Sequence, residues 1–220
     1  MKRITAQDIQ QWEARYRVTF IHSLAGYKQP VLVGTRSLSG TSNLAVFNSL
    51  MHIGANPPLY GLLFRPDTVR RDTLRNVVET GEYTLNWMSA KDVEAVHQTA
   101  AKYPAEESEF VAVGYTERSD AGACSPRVAE AVISARLRLA QIIDIPLNGT
   151  KLVIGSVEEI YIPEDVVSGE GFVALHQLDV LSSVGLDAYY RPQPLIRFSY
   201  PRPGEQLKAI PFTDKGEARI

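Results

Sequence analysis

A turn rich in hydroxyl groups lies early in the chain, between residues 37 and 43. Its polar residues and its glycine are Ser37, Ser39, Gly40, Thr41, Ser42 and Asn43. Such a turn offers hydroxyl, amide and backbone donors, which are the groups that bind phosphate or sugar oxygens. The same composition is typical of a plain hairpin turn, so both interpretations stay open on local evidence.

A second candidate anion site lies at the start of a predicted helix, in the sequence Arg70-Arg71-Asp72-Thr73. The first N–H groups of a helix have no partner within it, and they carry the positive end of its dipole. An arginine and a hydroxyl beside them would complete a phosphate site. A solvated helix cap is the alternative interpretation.

Three further residues have polar side chains that could bind a ligand. Asn48 and Ser49 interrupt an otherwise apolar run, and a buried polar side chain must bond either a ligand or a neighbouring backbone group. His97 lies on a predicted helix that begins after Ser89. It either faces a bound ligand or is an ordinary histidine of the helix surface.

Several other kinds of chemistry lack their sequence signatures. There is no GxGxxG or GxxxxGK[ST] motif for a dinucleotide or a phosphate loop, and no GxSxG motif for a hydrolase. The scattered histidines without metal-ligand spacing are His22, His52, His97 and His176. We therefore predict no metal site and assign no catalytic residue. Cys124, the only cysteine, excludes an internal disulfide and is interpreted as incidental rather than reactive.

The composition is that of an ordinary globular protein. Of the 220 residues, 45% are hydrophobic and 22% are charged, and the formal net charge is −2. This balance excludes a disordered chain and gives no basic field for nucleic acid or an anionic membrane. No run of 18 apolar residues occurs, and the N-terminus lacks the apolar region of a signal peptide. We expect a cytoplasmic protein that binds neither membrane nor nucleic acid.

The elements that must position these residues are mostly short strands. A capping-box pattern from Thr5 to Asp8 predicts an N-terminal helix that continues through Tyr16. Hydrophobic patterns predict strands at 30–35, 44–53, 59–64, 83–87, 133–139 and 152–162. They predict helices at 72–80, ended by Gly81, and after Ser89.

Many short strands with few helices, and no alternation of strand and helix, favour a mainly β fold with helical insertions. No linker divides residues 1–220, so one domain is expected. The tail from Pro192 contains five prolines and is predicted to form an extended arm.

Three stretches together resemble the flavin reductase-like family of FMN-binding split barrels. They are TRS at 35–37, NLAVFNSLMHIGANPPLYG at 43–61 and RRDTLRNVVETGEYTLN at 70–86. The family pattern has NLAPFS, a PP pair, KDT, a short helix with NI, and TGEF. Weaker similarity continues through 108–110, 154–157 and 185–190. Val46 and Asn48 stand where the family often has proline and serine, and Arg71 keeps the charge of its lysine.

The resemblance implies a homodimeric split β-barrel that holds FMN near the subunit interface. The flavin ring would lie along residues 45–50, and Arg71 and Thr73 would bind its phosphate together with the hydroxyl-rich turn. The implied cofactor-binding residues are Arg36, Ser37, Asn43, Ala45, Val46, Phe47, Asn48, Ser49, Leu50, Arg71, Thr73 and His97.

The family's activity is the transfer of hydride from NAD(P)H to the flavin, so the resemblance implies a flavin reductase. An oxygenase or another electron acceptor is the candidate partner. Two alternatives stay open. One is an FMN-binding electron carrier without nicotinamide activity. The other is a small-barrel binding module for nucleic acid, against which the charge of −2 counts.

Overall fold

A seven-stranded antiparallel sheet forms the centre of the protein in the computed structural model, which describes residues 1–66, 68, 71–104 and 106–212. The strands in the described residues are β1 Val31–Arg36, β2 Ser42–Phe47, β3 Met51–Ala55, β4 Pro58–Phe64, β5 Glu82–Trp87, β6 Glu117–Arg118, β7 Arg127–Val128, β8 Ile133–Ile145, β9 Thr150–Tyr161, β10 Ser182–Val184, β11 Ala188–Tyr190, β12 Arg197–Phe198 and β13 Ala209–Ile210. The helices are α1 Ala6–Gln11, α2 Ala14–Leu24, α3 Asp72–Thr80, α4 Val93–Gln98 and α5 Glu109–Val113. Short 3₁₀ turns occupy Ala90–Asp92, Glu164–Val166 and Leu175–Leu178.

The order of the strands requires the large sheet to curl. It runs β2-β1-β5-β8-β9-β4-β3, so β2 and β3 lie at opposite edges. Yet Phe47 ends β2 and Met51 begins β3, and four Cα steps span at most about 14 Å. In a flat sheet the six strand spacings would separate these edges by about 29 Å. The sheet therefore bends until its edges approach without pairing, which is a split β-barrel and confirms the predicted mainly β fold.

The core lies inside this curled sheet and under the helix that covers it. Leu74 and Val77 of α3 pack with Val33, Leu85 and further strand residues in the larger hydrophobic cluster. A smaller cluster joins the other face of β1 and β2 to α4 and α5; its buried members are Leu32, Leu44, Met88, Val96, Phe110, Val128 and Leu181. Helix α3 and the first strands are thus rigidly packed around the candidate site.

Several local predictions are confirmed. Thr5 and Asp8 form the capping box at the start of α1. Helix α3 spans the predicted residues and ends at Gly81, whose φ of +71° is the left-handed conformation that favours glycine. The side chain of Ser89 accepts a hydrogen bond from the Lys91 N–H, so it caps the helical segment that leads into α4.

Three predicted boundaries are wrong. The N-terminal helix stops at Trp12, which is extended, and α2 begins after a new cap at Glu13. The run at 44–53 is two strands, because the chain leaves one sheet edge after Phe47 and joins the other. The strand from Ile133 continues to Ile145, well beyond its alternating segment, because β9 pairs with it along its length.

The proline-rich tail contains one short ribbon, β12 paired with β13. The Arg197 guanidinium lies 4.0 Å from the centroid of the Phe172 ring, which fixes the ribbon against an earlier loop. The last part of the predicted arm lies outside the described residues.

Candidate functional site

The hydroxyl-rich turn and the start of α3 meet through direct hydrogen bonds. Asn43 donates from Nδ2 to Thr73 Oγ1 at 3.0 Å and to Thr35 Oγ1 at 3.3 Å. Asn76 of α3 also donates to Thr35 Oγ1, at 3.1 Å. The β1–β2 hairpin places Thr35 opposite Asn43, so this cluster follows from the strand register. Two segments that were predicted separately as anion sites therefore form one polar surface.

The start of α3 contains a buried donor that belongs to Arg71. Arg71 is the N-cap residue of α3, and its own side chain makes no capping hydrogen bond. The Nε of Arg71 is buried, and no hydrogen-bond partner for it is found among the residues that the structure describes. Thr73 is 7% exposed. This arrangement suits an anion, because a buried guanidinium nitrogen lies at the positive end of a helix dipole. Arg70 lies outside the described residues.

A polar cavity of about 290 Å³ lies beside this surface. Its lining combines the hydroxyl-rich turn, the first turns of α3, the segment before α5 and the first residue of α5. The lining residues are Ser37, Ser39, Thr41, Ser42, Asn43, Asp72, Arg75, Asn76, Tyr103, Pro104, Glu106, Glu107 and Glu109. The carboxylates lie largely on the side of residues 106–109. On the side of α3, Arg75 pairs with Asp72 at 2.8 Å, and neither Arg71 nor Thr73 is among the lining residues, so the cavity itself does not favour an anion.

The outer edge of β2 is covered over part of its length. The N–H of Leu44 points away from β1 and donates to Glu109 Oε2 at 2.9 Å. The Ser42 and Ser108 hydroxyls are 2.8 Å apart, and Ser42 also bonds Glu117. Burial raises the pKa of Glu109, and the Leu44 N–H opposes that shift. By the alternation of an antiparallel ladder, the N–H of Val46 faces the same way as that of Leu44, beyond this cover.

The predicted ring-binding residues have different environments. Phe47 packs on Phe64 with ring centroids 4.7 Å apart, and Leu50 packs against the core. The Ser49 hydroxyl donates to Leu63 O at 3.0 Å and accepts from Leu63 N at 3.1 Å, so it already bonds β4 backbone groups. Ala45 and Val46 lie on β2, half-buried, on opposite faces of the strand.

Asn48 and His97 each contact the hairpin formed by β10 and β11, at different points. Asn48 donates from Nδ2 to Gly185 O at 2.7 Å. His97 Nδ1 lies 3.0 Å from Tyr189 Oη, and the two rings meet edge to face. Burial raises the pKa of Tyr189. His97 is exposed on α4. Its contact with Tyr189 orients the imidazole ring towards the hairpin.

The remaining predicted residues are held by their own protein partners. Arg36 pairs with Glu117 at 2.8 Å and donates to Gly40 O at 2.9 Å, so its guanidinium braces the turn. The Ser37 hydroxyl accepts from the Thr41 N–H at 3.0 Å and lies 2.9 Å from Ser39 Oγ. These contacts hold the turn in place through partners within the protein. Binding of FMN by either residue stays a prediction.

Sequence reasoning missed Glu109 and Asn76 as components of the site. Glu109 was visible only as part of the weaker family similarity at residues 108–110, and nothing in the local sequence shows that its carboxylate reaches β2. Asn76 is 1% exposed on a helix whose apolar face was otherwise clear. A buried asparagine on such a face requires partners, and that signal could have found it.

Comparison with known proteins gives the class of this fold. A structure from Shewanella frigidimarina NCIMB 400, assigned as a flavin reductase with a split barrel domain, has 36% identity and a TM-score of 0.88, covering 91% of this chain and 100% of that one. Component B of nitrilotriacetate monooxygenase from Bacillus cereus has 23% identity and a TM-score of 0.79, covering 90% and 98%. Flavoredoxin from Desulfovibrio vulgaris (Miyazaki F) has 19% identity and a TM-score of 0.66, covering 78% and 90%. The last two show the shared fold alone.

The sequence profile of the flavin reductase like domain matches residues 24–178, more than half of the chain. The protein therefore belongs to the flavin reductase-like family of split barrels, as the sequence resemblance predicted. Within the described residues, no helix is long and apolar enough to cross a membrane. The same part of the chain contains no cluster of histidine, cysteine and carboxylate side chains that could hold a metal ion.

Proposed function

We propose that this protein binds FMN and reduces it with NAD(P)H. The observation that carries the proposal is the buried Nε of Arg71 at the start of α3, for which no hydrogen-bond partner is found among the described residues. A buried donor without a partner is costly, and the phosphate of FMN would satisfy it. Family membership and the 36% identity to the Shewanella protein support a flavin as the ligand.

The residues of the chain fit the parts of FMN. Arg71, Thr73 and the first N–H groups of α3 would hold the phosphate. The open edge of β2 beyond Leu44 would meet the polar edge of the ring, since Glu109 already covers the N–H of Leu44. Asn48 would bind the same edge of the ring, while Phe47 and Ser49 keep the connection between β2 and β3 in place.

Bound flavin would supply the chemistry, because its ring accepts a hydride and releases electrons to an acceptor. The chain positions the ring, binds the phosphate and limits access of water to the edge of β2. No acid or base is assigned, since hydride transfer to a flavin needs none from the protein. A homodimer stays a prediction from the family resemblance, and light scattering of the purified protein tests it.

Anaerobic oxidation of NADH and NADPH in the presence of FMN tests the reductase activity. We expect bleaching of the flavin absorbance in step with loss of the nicotinamide absorbance. FMN that stays oxidised under both nicotinamides, but is bleached by dithionite while bound, would overturn the reductase assignment. That outcome would favour the alternative of an electron carrier, the role that the name of flavoredoxin suggests for a protein of this fold.

If FMN is reduced, the partner can be sought among electron acceptors. The name of the Bacillus cereus structure, component B of a monooxygenase, supports an oxygenase as one class of partner. Stimulation of an oxygenase by the reduced flavin that this protein releases would support that role. Tight retention of the reduced flavin would favour direct electron transfer instead.

A further inference from the structure

The polar cavity beside α3 has a negative potential. Glu106, Glu107 and Glu109 line one side of it, and no basic partner for Glu106 or Glu107 is found among the described residues. On the other side the guanidinium of Arg75 is engaged by Asp72. The carboxylates converge, because Asp72 and Glu107 add to the effect of burial in raising the pKa of Glu109. A cleft lined in this way repels anions and favours groups that donate hydrogen bonds.

Asn76 gives an independent indication that the cavity binds a ligand. It lines the cavity, is 1% exposed, and donates from Nδ2 to Thr35 Oγ1 at 3.1 Å. Thr35 is not among the lining residues, so Oδ1 is the end of this amide nearer to the cavity. Oδ1 is buried, and no partner for it is found in the part of the chain that the structure describes. A buried amide oxygen of this kind requires a donor, which a ligand in the cavity would supply.

The size and the remaining lining of the cavity suit a nucleoside. A volume of about 290 Å³ is at the lower end for small-molecule sites, so it suits a nucleoside better than a whole dinucleotide. Tyr103 supplies an aromatic ring, the kind of surface on which nucleobases stack, and its hydroxyl accepts from Gln98 Nε2 at 2.9 Å. Adenosine carries donors on its two ribose hydroxyls and its amino group, and carboxylates are established acceptors for ribose hydroxyls.

We propose that this cavity receives the adenosine end of NADH and rejects NADPH, with Glu106 and Glu107 repelling the 2′-phosphate. The inference rests on the proposed reduction of FMN by a nicotinamide dinucleotide. Asn43 lines the cavity and also bonds Thr73, so the cavity adjoins the candidate flavin site. The diphosphate that both dinucleotides share would stay at the mouth, where water screens it, whereas a 2′-phosphate would enter with the ribose. Specificity then comes from a repulsive element.

ADP-ribose and 2′-phospho-ADP-ribose are the probes, because they contain the adenosine end without the nicotinamide. In calorimetric titrations with FMN present, the wild-type protein should bind ADP-ribose about tenfold more tightly than its 2′-phosphate. The double variant Glu106→Gln/Glu107→Gln should lose most of this preference, because two repelling charges are removed. Glu79→Gln is the matched control: it removes a charge from an exposed position of α3 outside the cavity and should keep the preference.

Equal affinity for the two probes, no binding of ADP-ribose, or an unchanged preference in the folded double variant would each overturn the inference. FAD carries the same adenosine group. Displacement of ADP-ribose by FAD but not by FMN would assign the cavity to a flavin and would overturn the inference as well. Failure of the proposed function gives a different result, since FMN would then stay oxidised under both nicotinamides. Thermal unfolding verifies that each variant is folded.

Discussion

Asn43 of β2 donates a hydrogen bond to Thr73 of α3 over 3.0 Å, and this contact joins the two segments that would surround a phosphate. Thirty positions separate these residues in the chain. The register of the β1–β2 hairpin and the packing of α3 against the sheet bring them together. The proposed phosphate site is thus a product of the tertiary fold rather than of either segment.

A double-mutant cycle on Asn43→Ala and Thr73→Val tests this link. Each single change should lower the free energy of unfolding by about 1–2 kcal/mol, because each removes one side of a partly buried hydrogen bond. The double variant should lose less than the sum, with a coupling of about 0.5–1.5 kcal/mol in urea unfolding. Strict additivity would mean that the contact does not contribute to stability.

The local elements around this link could largely be predicted from the sequence. Helix α3 follows from an apolar face at helical spacing and from Gly81 at its end, both of which act through neighbouring residues. The break between β2 and β3 could not be predicted. Asn48 and Ser49 interrupt the apolar run at 44–53, but two polar residues do not by themselves end a strand, and closure of the barrel decides where the chain changes edges.

The residues of the candidate site also fall into two groups, those that local sequence predicts and those that depend on distant contacts. Arg71 and Thr73 could be placed at a helix start from the local pattern alone. The contacts of Asn48 with Gly185, 137 positions away, and of His97 with Tyr189, 92 positions away, leave no local signal. Their polar side chains required partners, but the partners depend on how the hairpin returns to the barrel.

Tyr83 has a buried hydroxyl that lies against Gly155, and no partner for it is found among the described residues. Tyr83→Phe should leave stability unchanged or raise it by up to about 1 kcal/mol, because no hydrogen bond is lost. Gly155→Ala should destabilise strongly, since the added Cβ would overlap the Tyr83 hydroxyl. The double variant with Tyr83→Phe and Gly155→Ala should recover part of the stability that Gly155→Ala loses, as measured by thermal unfolding. A clearly destabilised Tyr83→Phe would show that the hydroxyl has a partner.

The buried carboxyl group of Glu109 should make the stability of the protein depend on pH. Its pKa is raised above the usual 4.5, first by burial. The stability linked to its protonated form is therefore fully present below about pH 4.5 and is lost as the pH rises through the raised pKa. Glu109→Gln keeps an acceptor for the Leu44 N–H and avoids that loss. Its stability relative to wild type should be higher at pH 7 than at pH 4 in denaturant unfolding. A difference that does not change with pH would contradict the buried position of this carboxylate.

Substitution of Arg71 tests the proposed phosphate site directly. Arg71→Ala should weaken FMN binding by about tenfold to a hundredfold, the effect of one or two charge-assisted hydrogen bonds. Arg71→Lys should restore part of it, because the charge remains while the planar donors are lost. Arg75→Ala is the control: Arg75 follows on the same helix and pairs with Asp72 at 2.8 Å. Equal losses in the Arg71 and Arg75 variants would mean that only the general charge of this helix matters.

The measurement that addresses the central claim most directly is the affinity of the wild-type protein and of Arg71→Ala for FMN and for riboflavin, in parallel titrations. The two ligands share the ring and differ in the phosphate. We predict that the wild-type protein prefers FMN, that Arg71→Ala loses most of this preference, and that riboflavin binds equally well to both proteins. Equal binding of FMN and riboflavin by the wild-type protein, or an equal loss of both in the variant, would contradict the phosphate site at the start of α3.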